Sequence, residues 1–197
     1  MSLAVIYIHG FNSSPLSTKA KQLQAYFTEN QLYSKNYQLH IPALDFQPAV
    51  AIGQLSALVE KCLNQQVLLI GSSLGGYYSL WLAQQYRQCS AVLINPAVYP
   101  YLLLAQLLGE NQNIYTGDKY RLTTEHIQQL KAIEVTQLTD LHRYLLLSQT
   151  ADETLDYREA VQKLQGIEQR VSKGGNHSFE NFQATIPQIF EFVADSV

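Results

Sequence analysis

The stretch VLLIGSSLGGYYSLWLA, residues 67–83, constrains the fold more than any other part of the chain. Four apolar residues run into a glycine, two serines, a leucine and two more glycines, and an apolar helical pattern starts directly behind them. A plain turn needs fewer special residues. Residues 71–75, GSSLG, match G-x-S-x-G with Ser73 at the centre. Between a buried strand and a helix this pattern reads as a nucleophile elbow. The serine occupies a sterically costly backbone conformation, and the flanking glycines let neighbouring segments approach without Cβ clashes. The helix behind it aims free N–H groups and its positive dipole end at developing negative charge. A glycine-rich packing turn is the bland alternative. A phosphate loop fits worse, because no lysine follows the glycines.

The rest of the chain supplies the sheet that an elbow requires. LAVIYI (3–8), residues 37–41, VLLI (67–70), SAVLIN (90–95) and RYLLLSQ (143–149) read as strands, and EQRVS as a shorter sixth. The continuous apolar run of LAVIYI suits a strand buried on both faces. Helical periodicity falls between them: after a cap at Ser17 or Thr18, over about 48–63, 73–86 and 157–165, and in a tail where Pro187 starts or kinks the last helix. Alternation of this kind implies βαβ units and an open, mostly parallel sheet of about six strands, helices on both faces. The fold class is α/β, with residues 1–197 as one unit. A small helical cap is inserted at about 97–139, where two helical segments replace one, the first closing at Gly109. Tyr99, Tyr101, Tyr115 and Tyr120 in that insertion either line a pocket or simply pack.

Composition excludes several functions. Lys plus Arg number 13 and Asp plus Glu 16, a net charge of −3 with no basic run, so neither nucleic acid nor a membrane surface is an expected partner. No apolar run approaches the ~20 residues of a spanning helix. Cys62 and Cys89 match no zinc or redox spacing and read as free thiols; no metal or cofactor is expected. A strand beginning at Leu3 leaves no room for a signal peptide, which points to the cytoplasm.

An elbow serine is inert without a base. In this architecture an acid and then a histidine follow the serine in chain order, the histidine in a late loop. Of His9, His40, His126, His142 and His177, only His177, in KGGNHSFEN, satisfies that order. Gly174 and Gly175 let its loop bend over the sheet, and Phe179 can anchor it. His9 reads as structural, bonding the loop that it enters. The acid comes from LLLSQTADETLDYREA: Asp152 stands three residues past the strand, whereas Asp156, with Glu159, reads as a capping box. The catalytic set is therefore Ser73, Asp152 and His177. Backbone N–H groups of Phe11, in HGF after the first strand, and Leu74, after the nucleophile, form the expected oxyanion hole.

HGFNSSP, GSSLGGYY, LINPAVYPY, QTADETLDYREA and GGNHSF together resemble the YqiA-type esterases of bacteria, a compact branch of the α/β-hydrolase superfamily. The resemblance runs from residue 4 to the last helix. It implies an α/β-hydrolase fold lacking the two leading antiparallel strands of larger members, with the triad on those three residues. It also implies activity on a small-molecule, short-acyl ester. An acyl-CoA thioester is the nearest alternative, although no basic cluster is present for its phosphates. A non-catalytic binding protein on the same scaffold is the other.

Overall fold

Runs of apolar residues on the strands and one-sided apolar stripes on the helices produce a layered molecule. The structure is a computed structural model and describes residues 2–195. In chain order its strands are β1 (Leu3–Ile8), β2 (Tyr37–His40), β3 (Gln66–Ser72), β4 (Cys89–Ile94), β5 (Gly109–Gln112), β6 (Lys119–Leu122), β7 (Tyr144–Gln149) and β8 (Glu168–Ser172). The helices are α1 (Thr18–Glu29), α2 (Pro48–Glu60), α3 (Leu74–Gln85), α4 (Pro100–Leu104), α5 (Thr124–Ala132), α6 (Tyr157–Lys163) and α7 (Phe182–Asp195).

Six strands form one sheet in the order β2-β1-β3-β4-β7-β8, every neighbouring pair parallel. Successive side chains along each strand feed opposite faces. Ala4, Ile6 and Ile8, with Leu69, Leu93 and Leu146, pack against α2, α3, α5 and α6. Val5, Tyr7, Leu68, Ile70, Ile94 and Leu147 meet Ala20, Leu23 and Phe27 of α1 and Phe182, Ile186 and Ile189 of α7. Burying both faces is why these strands show no polar alternation. Parallel pairing also puts the carboxyl ends of all six strands at one edge, where the following loops gather.

Between β4 and β7 both expected helical segments are present as α4 and α5. They are separated by an antiparallel hairpin, β5–β6, that the sequence did not reveal. Gly109 does not cap the first of these helices. α4 stops at Leu104, a 3₁₀ turn follows, and Gly109 (φ +112°) opens β5 instead. The hairpin is tethered over the loop after β1. The Tyr120 hydroxyl donates to Asn12 Oδ1, and the Asn113 amide donates to the Ser13 carbonyl at 3.0 Å. Pro187 lies inside α7 rather than at its start, at the cost of the bond to the Gln183 carbonyl. Ser17 holds the N-cap position of α1, but its hydroxyl makes no capping bond. Cys62 and Cys89 are buried free thiols.

Candidate active site

Ser73 sits between the last residue of β3 and the first of α3 with φ +55° and ψ −120°, a conformation that a side chain rarely adopts. Its backbone is fixed on both sides. The N–H donates to the Ile94 carbonyl at 3.0 Å, and the carbonyl accepts from the N–H groups of Gly76 (2.9 Å) and Ala97 (3.1 Å). A Cβ on Gly75 would overlap the Ile8 carbonyl oxygen, and one on Gly71 would overlap the Gly75 carbonyl oxygen. Glycines are therefore required for the close approach of α3 to the sheet, as the motif implied.

The structure brings Ser73, Asp152 and His177 into one hydrogen-bonded row. His177 Nε2 lies 3.2 Å from Ser73 Oγ, and Nδ1 lies 2.8 and 3.0 Å from the two carboxylate oxygens of Asp152. A carboxylate only accepts, so Nδ1 carries the proton and Nε2 is left as the acceptor for the serine hydroxyl. The Asp152 side chain is 2% exposed. Burial pushes its carboxyl pKa up, but bonds from His177 and from the Leu155 and Thr154 N–H groups more than offset this. The net shift is downward.

The loop carrying His177 bends as anticipated, with Gly174 (φ +82°) and Gly175 (φ +77°) left-handed and Phe179 buried edge-on against Phe182. Asn95 and Gln149, which sequence reasoning missed, and Glu153, which it weighed only as an acid, hold it in place. The Asn95 amide donates to the carbonyls of Asn176 (2.9 Å) and His177 (3.3 Å), while its oxygen accepts the Gln149 N–H at 2.9 Å. Gln149 Oε1 accepts the N–H groups of Asn176 (3.1 Å) and Glu180 (2.8 Å), and Glu153 accepts that of His177 at 2.9 Å. Asn95 follows β4 at φ +39°, in the left-handed region that asparagine tolerates better than most residues.

Other expectations fall where the chemistry put them. His9 bridges two loops, its Nδ1 3.0 Å from the Gly10 carbonyl and its Nε2 accepting the Leu44 N–H at 3.3 Å; burial lowers its pKa. Asp156 caps α6, but through the Arg158 N–H at 3.0 Å and an ion pair to the Arg158 guanidinium, rather than through a box closed by Glu159. His126 caps α5, its Nδ1 accepting the Thr123 N–H at 3.1 Å. Of the four insertion tyrosines, Tyr115 and Tyr120 border the site. Tyr101 donates to Glu134, and Tyr99 stacks beneath Lys163. Among the described residues, no group of three or more His, Cys, Asp or Glu side chains is gathered to hold a metal ion.

Two cavities flank the serine, divided by residues 10–13. One, about 350 Å³, is bounded by Phe11, Leu44, Phe46, Leu74, Tyr78 and Tyr120, with Phe46 and Tyr120 stacked at 4.4 Å. The other, about 380 Å³, contains Ser73 and His177 themselves. Leu74 is the first residue of α3, so its N–H has no intrahelical acceptor, and Phe11 lies in the turn after β1.

A parallel sheet with a serine on a strained strand-to-helix elbow, followed in chain order by a carboxylate and a histidine, defines the α/β-hydrolase fold. The chain belongs to the family described as "Uncharacterised protein family (UPF0227)", whose model matches residues 4–194. This agrees with the resemblance to YqiA-type esterases. The YcfP proteins of Salmonella gallinarum and Salmonella newport are 22% and 24% identical over 191 residues, covering 95% of this chain and 97% of theirs. Among solved structures, Est1E from Butyrivibrio proteoclasticus, determined with ferulic acid bound, superposes with a TM-score of 0.73 at 15% identity, over 100% of this chain and 89% of its own. Mouse alpha/beta hydrolase domain-containing protein 10 gives 0.70 at 16% identity, over 96% and 90%. The esterase domain of a Rhodothermus marinus protein gives 0.66 at 18%, over 99% and 86%. No helix among the described residues is long and apolar enough to cross a membrane.

Proposed function

We propose that the chain is a serine hydrolase that cleaves short-acyl carboxylic esters. The observation that carries this reading is the row from Asp152 through His177 to Ser73 Oγ, with Nε2 3.2 Å from the hydroxyl. Ser73 Oγ attacks the acyl carbon while His177 Nε2 takes its proton. The oxyanion is held by the N–H groups of Leu74 and Phe11. The C–O bond to the alcohol then breaks, and His177 returns the proton to the departing oxygen. Water, deprotonated in turn by His177, hydrolyses the acyl-enzyme and restores Ser73. Asp152 keeps the imidazole in the required tautomer throughout.

The position of the proton donor assigns the two cavities. The leaving oxygen must face His177 Nε2, so the alcohol half lies in the cavity that contains His177. The acyl half extends past Leu74 into the aromatic one. Each methylene buried there contributes ~0.8 kcal/mol until the space is full. The expected optimum is about two to six acyl carbons, with a steep fall beyond. A fluorophosphonate probe should label Ser73, and kcat/KM across 4-nitrophenyl esters of increasing length should peak within that range. Unlabelled Ser73, or a long-chain preference, would sink the proposal.

The pH profile is a second check. Because the imidazole must be neutral to take the serine proton, kcat/KM should rise from the acidic side towards neutral pH and then level off. The lowered pKa of Asp152 keeps that carboxylate ionised across that rise, so only one inflection is expected. A flat profile would remove His177 from the reaction.

A further inference from the structure

We propose that the cavity on the His177 side of Ser73 receives a leaving alcohol that bears a carboxylate, with Lys19 as its counter-ion. The inference rests on the hydrolase reading for the position of the alcohol half. Lys19, in the first turn of α1, lines this cavity together with Ser73 and His177. It is half-buried, and its ammonium donates one bond, to the Ser178 carbonyl at 2.9 Å. Among the described residues no carboxylate lies within 4.0 Å of its ammonium. Withdrawing a cation from water without an anion is unfavourable. An ammonium has three donors, so two remain for a ligand.

Further features point the same way. Burial lowers the Lys19 pKa to about 8, against the opposing pull of Asp152, as expected for a cation that lacks a close counter-charge. The one carboxylate lining this cavity, Glu180, is exposed, whereas the aromatic cavity holds Asp45 and Asp118 beside a single Lys119. An anionic group is therefore favoured on the alcohol side and disfavoured on the acyl side. A single ammonium suits the single charge of a carboxylate better than a phosphate dianion.

The test compares 4-acetoxybenzoate with its neutral methyl ester in the wild type, Lys19→Met and Lys19→Arg. Lys19→Met should lower kcat/KM for the carboxylate ester by about tenfold or more, and for the methyl ester by less than about threefold. Lys19→Arg should retain part of the preference. The wild-type preference should also fade above about pH 8, where Lys19 loses its charge. The other titratable groups around the cavity, Tyr7, Tyr115, His177 and Glu180, with Asp152 behind His177, are present in both wild type and Lys19→Met, so comparing the ester ratio of the two proteins at each pH isolates Lys19. Equal losses on both esters would mean that Lys19 only fastens the Ser178 loop, and would overturn the proposal. A binding arm decides the cavity even if no ester is cleaved. In Ser73→Ala, NMR titration should show 4-hydroxybenzoate binding more tightly than 4-hydroxybenzamide, with the difference removed by Lys19→Met. No such difference overturns the proposal, whereas cleavage of neither ester by the wild type overturns the hydrolase reading alone.

Discussion

Ser73→Ala is expected to abolish ester hydrolysis, by ~10⁴-fold or more in kcat, while the protein remains folded. The elbow is built by the backbone and not by the hydroxyl. Ile94, Gly76 and Ala97 hold the serine's N–H and carbonyl, and alanine retains the Cβ that already tolerates φ +55°. Thermal denaturation should therefore change little. Ser73→Gly should be equally inactive yet more stable by about 1 kcal/mol or more, because glycine adopts that conformation without strain. The neighbouring Ser72→Ala should cost less than about tenfold, since its hydroxyl makes no bond to His177. Matching losses at Ser72 and Ser73, with intact circular dichroism, would count against the elbow as the reactive centre.

The framework was legible because burial on both faces leaves a strong imprint on sequence. LAVIYI, VLLI and SAVLIN read as inner strands, and parallel pairing follows from the helices between them. Ser73 was legible from glycines that the close approach of α3 demands. Asp152 and His177 followed from chain order. The hairpin β5–β6 was not legible, because GENQ and KYRL carry almost no apolar alternation. Its tethers, Tyr120 to Asn12 and Asn113 to Ser13, join segments 108 and 100 residues apart. Asn95 and Gln149 were missed for the same reason: each looks like an ordinary strand end until the His177 loop folds onto it. Lys19 carries no signal in the sequence, because the Ser178 carbonyl that holds it lies 159 residues further along the chain. Asp156 was read correctly as a cap, but Arg158 proved a stronger partner than Glu159, because a charged pair two residues apart can close on the exposed surface.

Asp152→Asn should lower kcat by about 10³–10⁴ with little change in fold, and the geometry supplies the reason. Oδ1 of Asp152 accepts the N–H groups of Thr154 and Leu155, both at 2.9 Å, while Oδ2 makes the shorter contact to His177 Nδ1 at 2.8 Å. In an asparagine the amide oxygen must take the Oδ1 position, because two backbone donors already point there. The NH₂ group is then forced to face Nδ1. A donor facing Nδ1 selects the tautomer protonated on Nε2, which points a hydrogen at Ser73 and leaves it without a base. Asp156→Asn tests the assignment from the other side. Asparagine caps a helix about as well as aspartate, and the lost ion pair to Arg158 is exposed, so activity should stay within about twofold and thermal denaturation should change little. Steady-state kinetics on a short-acyl ester, with thermal denaturation of both variants, decides the matter. A large kinetic loss at Asp156, or full activity in Asp152→Asn, would remove Asp152 from the reaction and leave His177 without the group that fixes its tautomer.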